Sequence, residues 1–135
     1  MKSPQDILDL MLKEDAFTVL LGMKVTQLQP GSSTLTMQIL PEHVNGFNIT
    51  HGGITFSLAD SAIAFAANAY GNKAVSIENS ISYIKPSFLN DQLTAHCEEV
   101  HKGKTLGRYT VKLLNEKKEL IAKVNSTVHF SKENW

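Results

Sequence analysis

Strict alternation of apolar and polar residues dominates the second half of the chain. Val75, Ile77, Asn79, Ile81 and Tyr83 fall on one side of a period of two, and Ser76, Glu78, Ser80 and Ser82 on the other, up to Lys85-Pro86. That period predicts a strand. Leu93, Ala95 and Cys97 continue the pattern, as do Tyr109, Val111 and Leu113, and then Leu120, Ala122, Val124, Ser126, Val128 and Phe130. Polar turns at His101-Lys102-Gly103-Lys104 and Asn115-Glu116-Lys117-Lys118 separate them. Short turns between long strands predict an antiparallel meander. Earlier in the chain, Gly22 to Leu40 reads as two strands split at Pro30-Gly31-Ser32-Ser33, with Leu35, Met37 and Ile39 on the apolar face of the second.

Two segments break the period of two. Residues 1–17 read as an amphipathic helix: Ser3 precedes Pro4, Asp6 falls three positions after Ser3, and Ile7, Leu8, Met11 and Leu12 form one apolar stripe. Residues 51–70, HGGITFSLADSAIAFAANAY, are apolar all round a helical wheel, and Asp60 is the only charged side chain after Gly52. A helix of this kind is predicted to be buried on nearly every face. Thr55, Ser57, Ser61 and Asn68, with Asp60 at the centre, argue against a membrane span. The expected architecture is α+β, one domain over residues 1–135, with an antiparallel sheet curling round one long buried helix.

Composition narrows the partners. The 135 residues carry 13 Lys+Arg against 13 Asp+Glu, so no overall positive field draws the chain to nucleic acid or anionic lipid. Zero net charge is compatible with self-association. The single cysteine, Cys97, forms no intrachain disulfide, and no metal-ligand spacing accompanies it. The first residues mix acidic with apolar side chains and do not read as a signal peptide. A soluble protein of a reducing, cytoplasmic compartment is expected.

Asp60 is the sharpest chemical signal. A carboxylate amid apolar residues is partly desolvated, and such acids either pair with a cation or mark a site. His51-Gly52-Gly53 stands immediately before the same helix. Glycines let backbone approach a ligand, and the first amides of a helix are unpaired donors suited to a developing oxyanion. A tight turn capped by His51 is the plainer reading of the same three residues. Asn45, in the loop before, is an amide donor or a turn former. Gly52 and Asp60 are eight positions apart, about 12 Å along a helix axis. One carbonyl cannot meet both, so a site using both requires two copies of the chain. Lys85, with Pro86-Ser87, and Lys102 and Lys104 are candidates for phosphate contact or ordinary solvated lysines. No P-loop or dinucleotide-binding glycine pattern is present. His43, His96, His101 and His129 show no metal spacing.

Asn45-Gly46, His51-Gly52-Gly53 and Leu58-Ala59-Asp60 on an alanine-rich helix together resemble the hotdog-fold acyl-CoA thioesterases, in particular the PaaI-type (phenylacetate-degradation) group. The resemblance extends through ISYIKPSFL, the Gly103-Lys104 turn and the last strand. It implies the hotdog fold, homodimers that pair again into homotetramers, and hydrolysis of acyl-CoA or aryl-CoA thioesters without metal or organic cofactor. It implies Asp60 as nucleophile or general base, the Gly52 amide as oxyanion donor, and Asn45 and His51 as helpers. Gly53, Lys85, Pro86, Ser87, Lys102 and Lys104 are then expected to meet coenzyme A. Relatives hold a hydroxyl residue where Ala64 stands here, which leaves Ser61 or Ser57 to orient water. A hotdog dehydratase or hydratase and a non-catalytic acyl-CoA-binding module are the rival functions.

Overall fold

The computed structural model describes residues 1–135. Helix α1 covers Pro4–Glu14, and a capping box at Ser3 and Asp6 starts it as the sequence predicts. The helical region runs further than residue 17, but in two pieces. Asp15 ends α1 and caps a short α2, Ala16–Leu20, accepting from the Thr18 amide and the Thr18 hydroxyl. Six strands follow: β1 Lys24–Gln29, β2 Ser32–Gln38, β3 Asn72–Tyr83, β4 Gln92–Lys102, β5 Leu106–Leu114 and β6 Leu120–Asn134. The long helix α3, Gly52–Asn68, lies between β2 and β3 in sequence. His51 is its N-cap, and Asn68, its last residue, falls two positions short of the expected residue 70, with Ala69 as C-cap.

All neighbouring strands are antiparallel, in the order β1-β2-β4-β5-β6-β3. The meander therefore holds only for β4, β5 and β6. Strand β3 crosses to the far edge and pairs with β6, while β4 pairs back onto β2. This crossing wraps the sheet round α3, which packs against β2 through β6. Leu58, Ala59, Ala62, Ile63, Phe65, Ala66 and Ala67 are buried with the inward residues of β2, β4, β5 and β6. Alanines let the helix sit close to the sheet. Buried hydrogen bonds fix it there: the Ser33 hydroxyl donates to the Ala62 carbonyl at 2.7 Å and the Gly31 amide to the Ala66 carbonyl at 2.9 Å.

Strand β3 departs from its sequence pattern. Its register against β6 shifts between Ser76 and Glu78, so one extra residue is inserted. Before the bulge the inward face is Ala74 and Ser76; after it, Asn79 and Ile81. Val75 and Ile77, expected on the apolar inner face, point outward at 64% and 59% exposure on an edge with no strand beside it. No helix of the chain is long and apolar enough to cross a membrane.

Candidate active site

The start of α3 is built for a free backbone donor. The His51 side chain accepts the Gly53 amide through Nδ1 at 2.9 Å, and the Ile54 amide goes to the His51 carbonyl. The Gly52 amide has no partner at all. A side chain on Gly53 would press against His51 Nδ1 at 3.1 Å, so it would have to push the capping ring aside. With Nδ1 accepting, the neutral His51 ring carries its proton on Nε2, and His51 is exposed.

Tyr83, which the sequence pattern did not single out, closes the other side of this turn. Its hydroxyl donates to the Gly52 carbonyl at 2.9 Å, and a Cβ on Gly52 would lie 2.9 Å from that same oxygen. A side chain at Gly52 would therefore have to displace the Tyr83 ring, and backbone dihedrals do not call for glycine: Gly52 is absent from the positive-φ residues. Asn45 is indeed a turn former. Its Oδ1 accepts the Phe47 amide at 2.9 Å, which leaves its NH2 group without a partner. Asn45, Gly52, Tyr83, Lys85, Pro86 and Ser87 share one cleft of about 350 Å³. Within it Lys85 is paired with Glu119. Ser87 is buried, its hydroxyl donating to Thr50 Oγ1 at 2.7 Å.

Asp60 opens into a different cleft, of about 500 Å³, farther along α3. Its Oδ1 accepts from the Ser76 hydroxyl and the Asn79 amide, both at 3.3 Å, and its Oδ2 has no partner. Ser76 and Asn79 are three apart and reach the same carboxylate only because the β3 bulge lies between them. No cation of the same chain pairs with Asp60, which is half-buried, so an ion pair within the chain does not account for this acid. The hydroxyl beside it belongs to Ser76. Ser57 instead donates to the Gly53 carbonyl at 2.7 Å. Ser61 joins Thr18 at 3.1 Å, and since Thr18 gives its proton to Asp15, Ser61 is the donor.

Lys102 and Lys104 are not brought to either cleft. Lys102 stacks over Tyr70 and Phe130, at 4.8 and 4.6 Å from the ring centroids. Tyr70 follows the far end of α3, about 27 Å along the axis from Gly52. Lys104 is exposed in the β4–β5 turn. The same region holds a second half-buried acid, Glu99, that sequence reading missed. Glu99 accepts from Tyr70 and Tyr109, each at 3.0 Å. Burial first, and Glu99 second, push both phenol pKa values up, so both hydroxyls remain donors. No group of three His, Cys, Asp or Glu side chains is placed to chelate a metal. Cys97 faces the core with 0% exposure, and burial pushes its thiol up to about 12. At about pH 8 a thiol reagent is expected to leave the folded chain unmodified and to titrate one thiol per chain after denaturation. Rapid labelling of the native protein would show that Cys97 is accessible.

The chain and its fold are similar to known proteins. The thioesterase superfamily pattern matches residues 47–122, which contain His51, the whole of α3 with Gly52 and Asp60, and Tyr83, while Asn45 lies just before them. Acyl-coenzyme A thioesterase PaaI of Escherichia coli is 34% identical over 119 residues, 88% of this chain and 85% of that protein. The structure of the E. coli PaaI protein superposes with a TM-score of 0.94 at 30% identity, covering 97% of this chain and 95% of that one. A hypothetical thioesterase protein of Streptococcus pneumoniae, solved with coenzyme A, superposes with a TM-score of 0.80 at 25% identity, covering 84% and 88%. More than half of the chain matches the family pattern, and the crossed sheet round a buried helix is the PaaI architecture. The chain belongs to the thioesterase superfamily and has its hotdog fold.

Proposed function

We propose that this chain hydrolyses acyl-CoA thioesters at a site shared by two copies of itself. The carrying observation is the pair of unsatisfied groups on α3: a Gly52 amide with no acceptor and an Asp60 Oδ2 with no donor. They open into separate clefts about 12 Å apart along one helix. Two antiparallel copies of α3 related by a two-fold axis bring the Gly52 amide of one protomer opposite Asp60 of its partner. The free edge of β3, with Val75 and Ile77 exposed, supplies a surface for that pairing. A second pairing would give the tetramer.

In this site the Gly52 amide polarises the thioester carbonyl and holds the oxyanion as it forms. The free Asn45 amide and the His51 Nε2 proton are further donors at the same end. Ser76 and Asn79 hold Oδ1 of Asp60, so Oδ2 faces the substrate as base or nucleophile. As base, it takes a proton from water while the water oxygen bonds to the thioester carbon. The carbon–sulfur bond then breaks, and the proton passes to sulfur to give the acid and the free thiol. Lys85, Pro86 and Ser87, in the Gly52 cleft, stand where the pantetheine arm leaves. Lys102 and Lys104 take no part within the chain that supplies Gly52. Coenzyme A bound to the S. pneumoniae protein and the acyl-CoA thioesterase PaaI support the substrate class. No cofactor is needed for this chemistry.

A panel of aryl- and alkyl-CoA thioesters, followed by release of free thiol, tests the proposal. At least one is expected to be cleaved well above the spontaneous rate. Conversion of an acyl-CoA without thiol release would indicate dehydration or hydration instead. Tight binding without any turnover would make the chain a binding module.

A further inference from the structure

Beyond Asp60 the 500 Å³ cleft continues along α3 as far as Trp135, which also lines the adjoining cleft on its other side. Asp60, Ala64, Ala67 and Asn68 follow one another along the helix face that lines it. Met11 of α1, Ile63 and Val128 add apolar wall to the rest of it, and Lys73, His129 and Ser131 add polar wall. Ala64 stands immediately past Asp60, where a larger side chain would fill the channel. At the far end stands the indole of Trp135. Asn68 Oδ1 accepts from its Nε1 at 2.7 Å, and the Trp135 amide donates to the Gly71 carbonyl at 3.0 Å. Lys2 Nζ donates to the Trp135 carbonyl at 2.6 Å, and Lys73 Nζ lies 5.6 Å from the ring centroid. Asn68 is itself buried and fully bonded, its NH2 donating to the carbonyls of Ala64 and Ala74 and its Oδ1 accepting the Ala74 amide as well. The ring is thereby fixed to the body of the fold.

We infer that this cleft receives the acyl group and that Trp135 is its end stop, setting the longest chain accepted. The inference rests on the thioesterase reading for its placement of the reacting carbonyl beside Asp60. From Asp60 to Asn68 the helix advances about 12 Å, which an extended acyl chain of roughly eight carbons fills. The substrate class is therefore a medium-chain acyl-CoA, with long-chain acyl groups rejected at the indole.

The test compares wild type with Trp135→Ala and Ala64→Phe. Trp135→Ala leaves Asn68 three of its four bonds and opens the end; Ala64→Phe blocks the channel beside Asp60. Hydrolysis is measured over straight-chain acyl-CoAs, and binding over non-hydrolysable S-alkyl-CoA thioethers from ethyl to tetradecyl. In Trp135→Ala the kcat/KM ratio of dodecanoyl- to hexanoyl-CoA is expected to rise roughly 10-fold or more, as for added methylenes gaining a pocket. The thioether affinity maximum moves to longer chains in parallel. In Ala64→Phe both move to shorter chains. Length profiles parallel to wild type in both folded variants overturn the end stop, and if Trp135→Ala does not fold, an unshifted Ala64→Phe profile does so alone. Absence of hydrolysis with a thioether cut-off that still moves would sink the reaction proposed above and keep the acyl cleft.

Discussion

Asp60→Asn is expected to lower kcat on the best acyl-CoA by about 10²-fold or more, the usual contribution of an acid–base or nucleophilic carboxylate. The substitution keeps the side-chain volume and an oxygen in the place where Ser76 and Asn79 donate to Oδ1. It replaces Oδ2, the oxygen that no protein group uses, with an NH2 that neither accepts a proton nor attacks carbon. Folding and thioether affinity should therefore change little, since no ion pair is lost with the charge. Parallel measurement of kcat, thioether affinity and the urea midpoint separates these effects. A purified Asp60→Asn protein that retained most of its turnover would remove Asp60 from the chemistry.

The second large effect is recovery of activity from two dead proteins. In Gly52→Val the new side chain meets the Tyr83 hydroxyl, 2.9 Å from the Cβ position, and under the proposed function it crowds the place of the thioester carbonyl. Alone, this variant and Asp60→Asn are each expected to be inactive. Mixed in equal amounts and refolded together, they pair at random, and about half the dimers are mixed. One site of each mixed dimer then collects both lesions, and the other joins an intact Gly52 to an intact Asp60. About a quarter of wild-type sites should return. If one chain supplied both residues to a site, every site would carry a lesion, and verified heterodimers would stay at background. That outcome would refute the shared site even with both residues essential.

How much of this was legible along the chain depends on the range over which each feature is decided. The buried helix α3 was legible because its apolar residues cover every face and the acid interrupts them. The inward faces of β2, β4, β5 and β6 were legible because alternation survives wherever a strand stays regular. The separation of Gly52 from Asp60 was legible too, since a helix converts positions directly into distance. Asp60, Gly52, His51 and Asn45 stood out from local pattern and family resemblance alone.

Only the folded chain decided the rest. A bulge is a property of two paired strands, and the one between Ser76 and Glu78 turned Val75 and Ile77 outward and brought Ser76 and Asn79 onto one carboxylate. The pairing of β3 with β6 rather than β4 is set by how the sheet closes round α3, a long-range choice on which a period of two is silent. The same closure placed Tyr83 against Gly52, and carried Lys102 to the opposite end of the helix. Trp135 and Asn68 are 67 positions apart, and a hydrogen bond across such a separation exists only once the core has fixed both ends. Sequence determined which residues are chemically out of place in their element; tertiary packing determined which of them meet, because register and close approach belong to pairs of elements and not to any one of them.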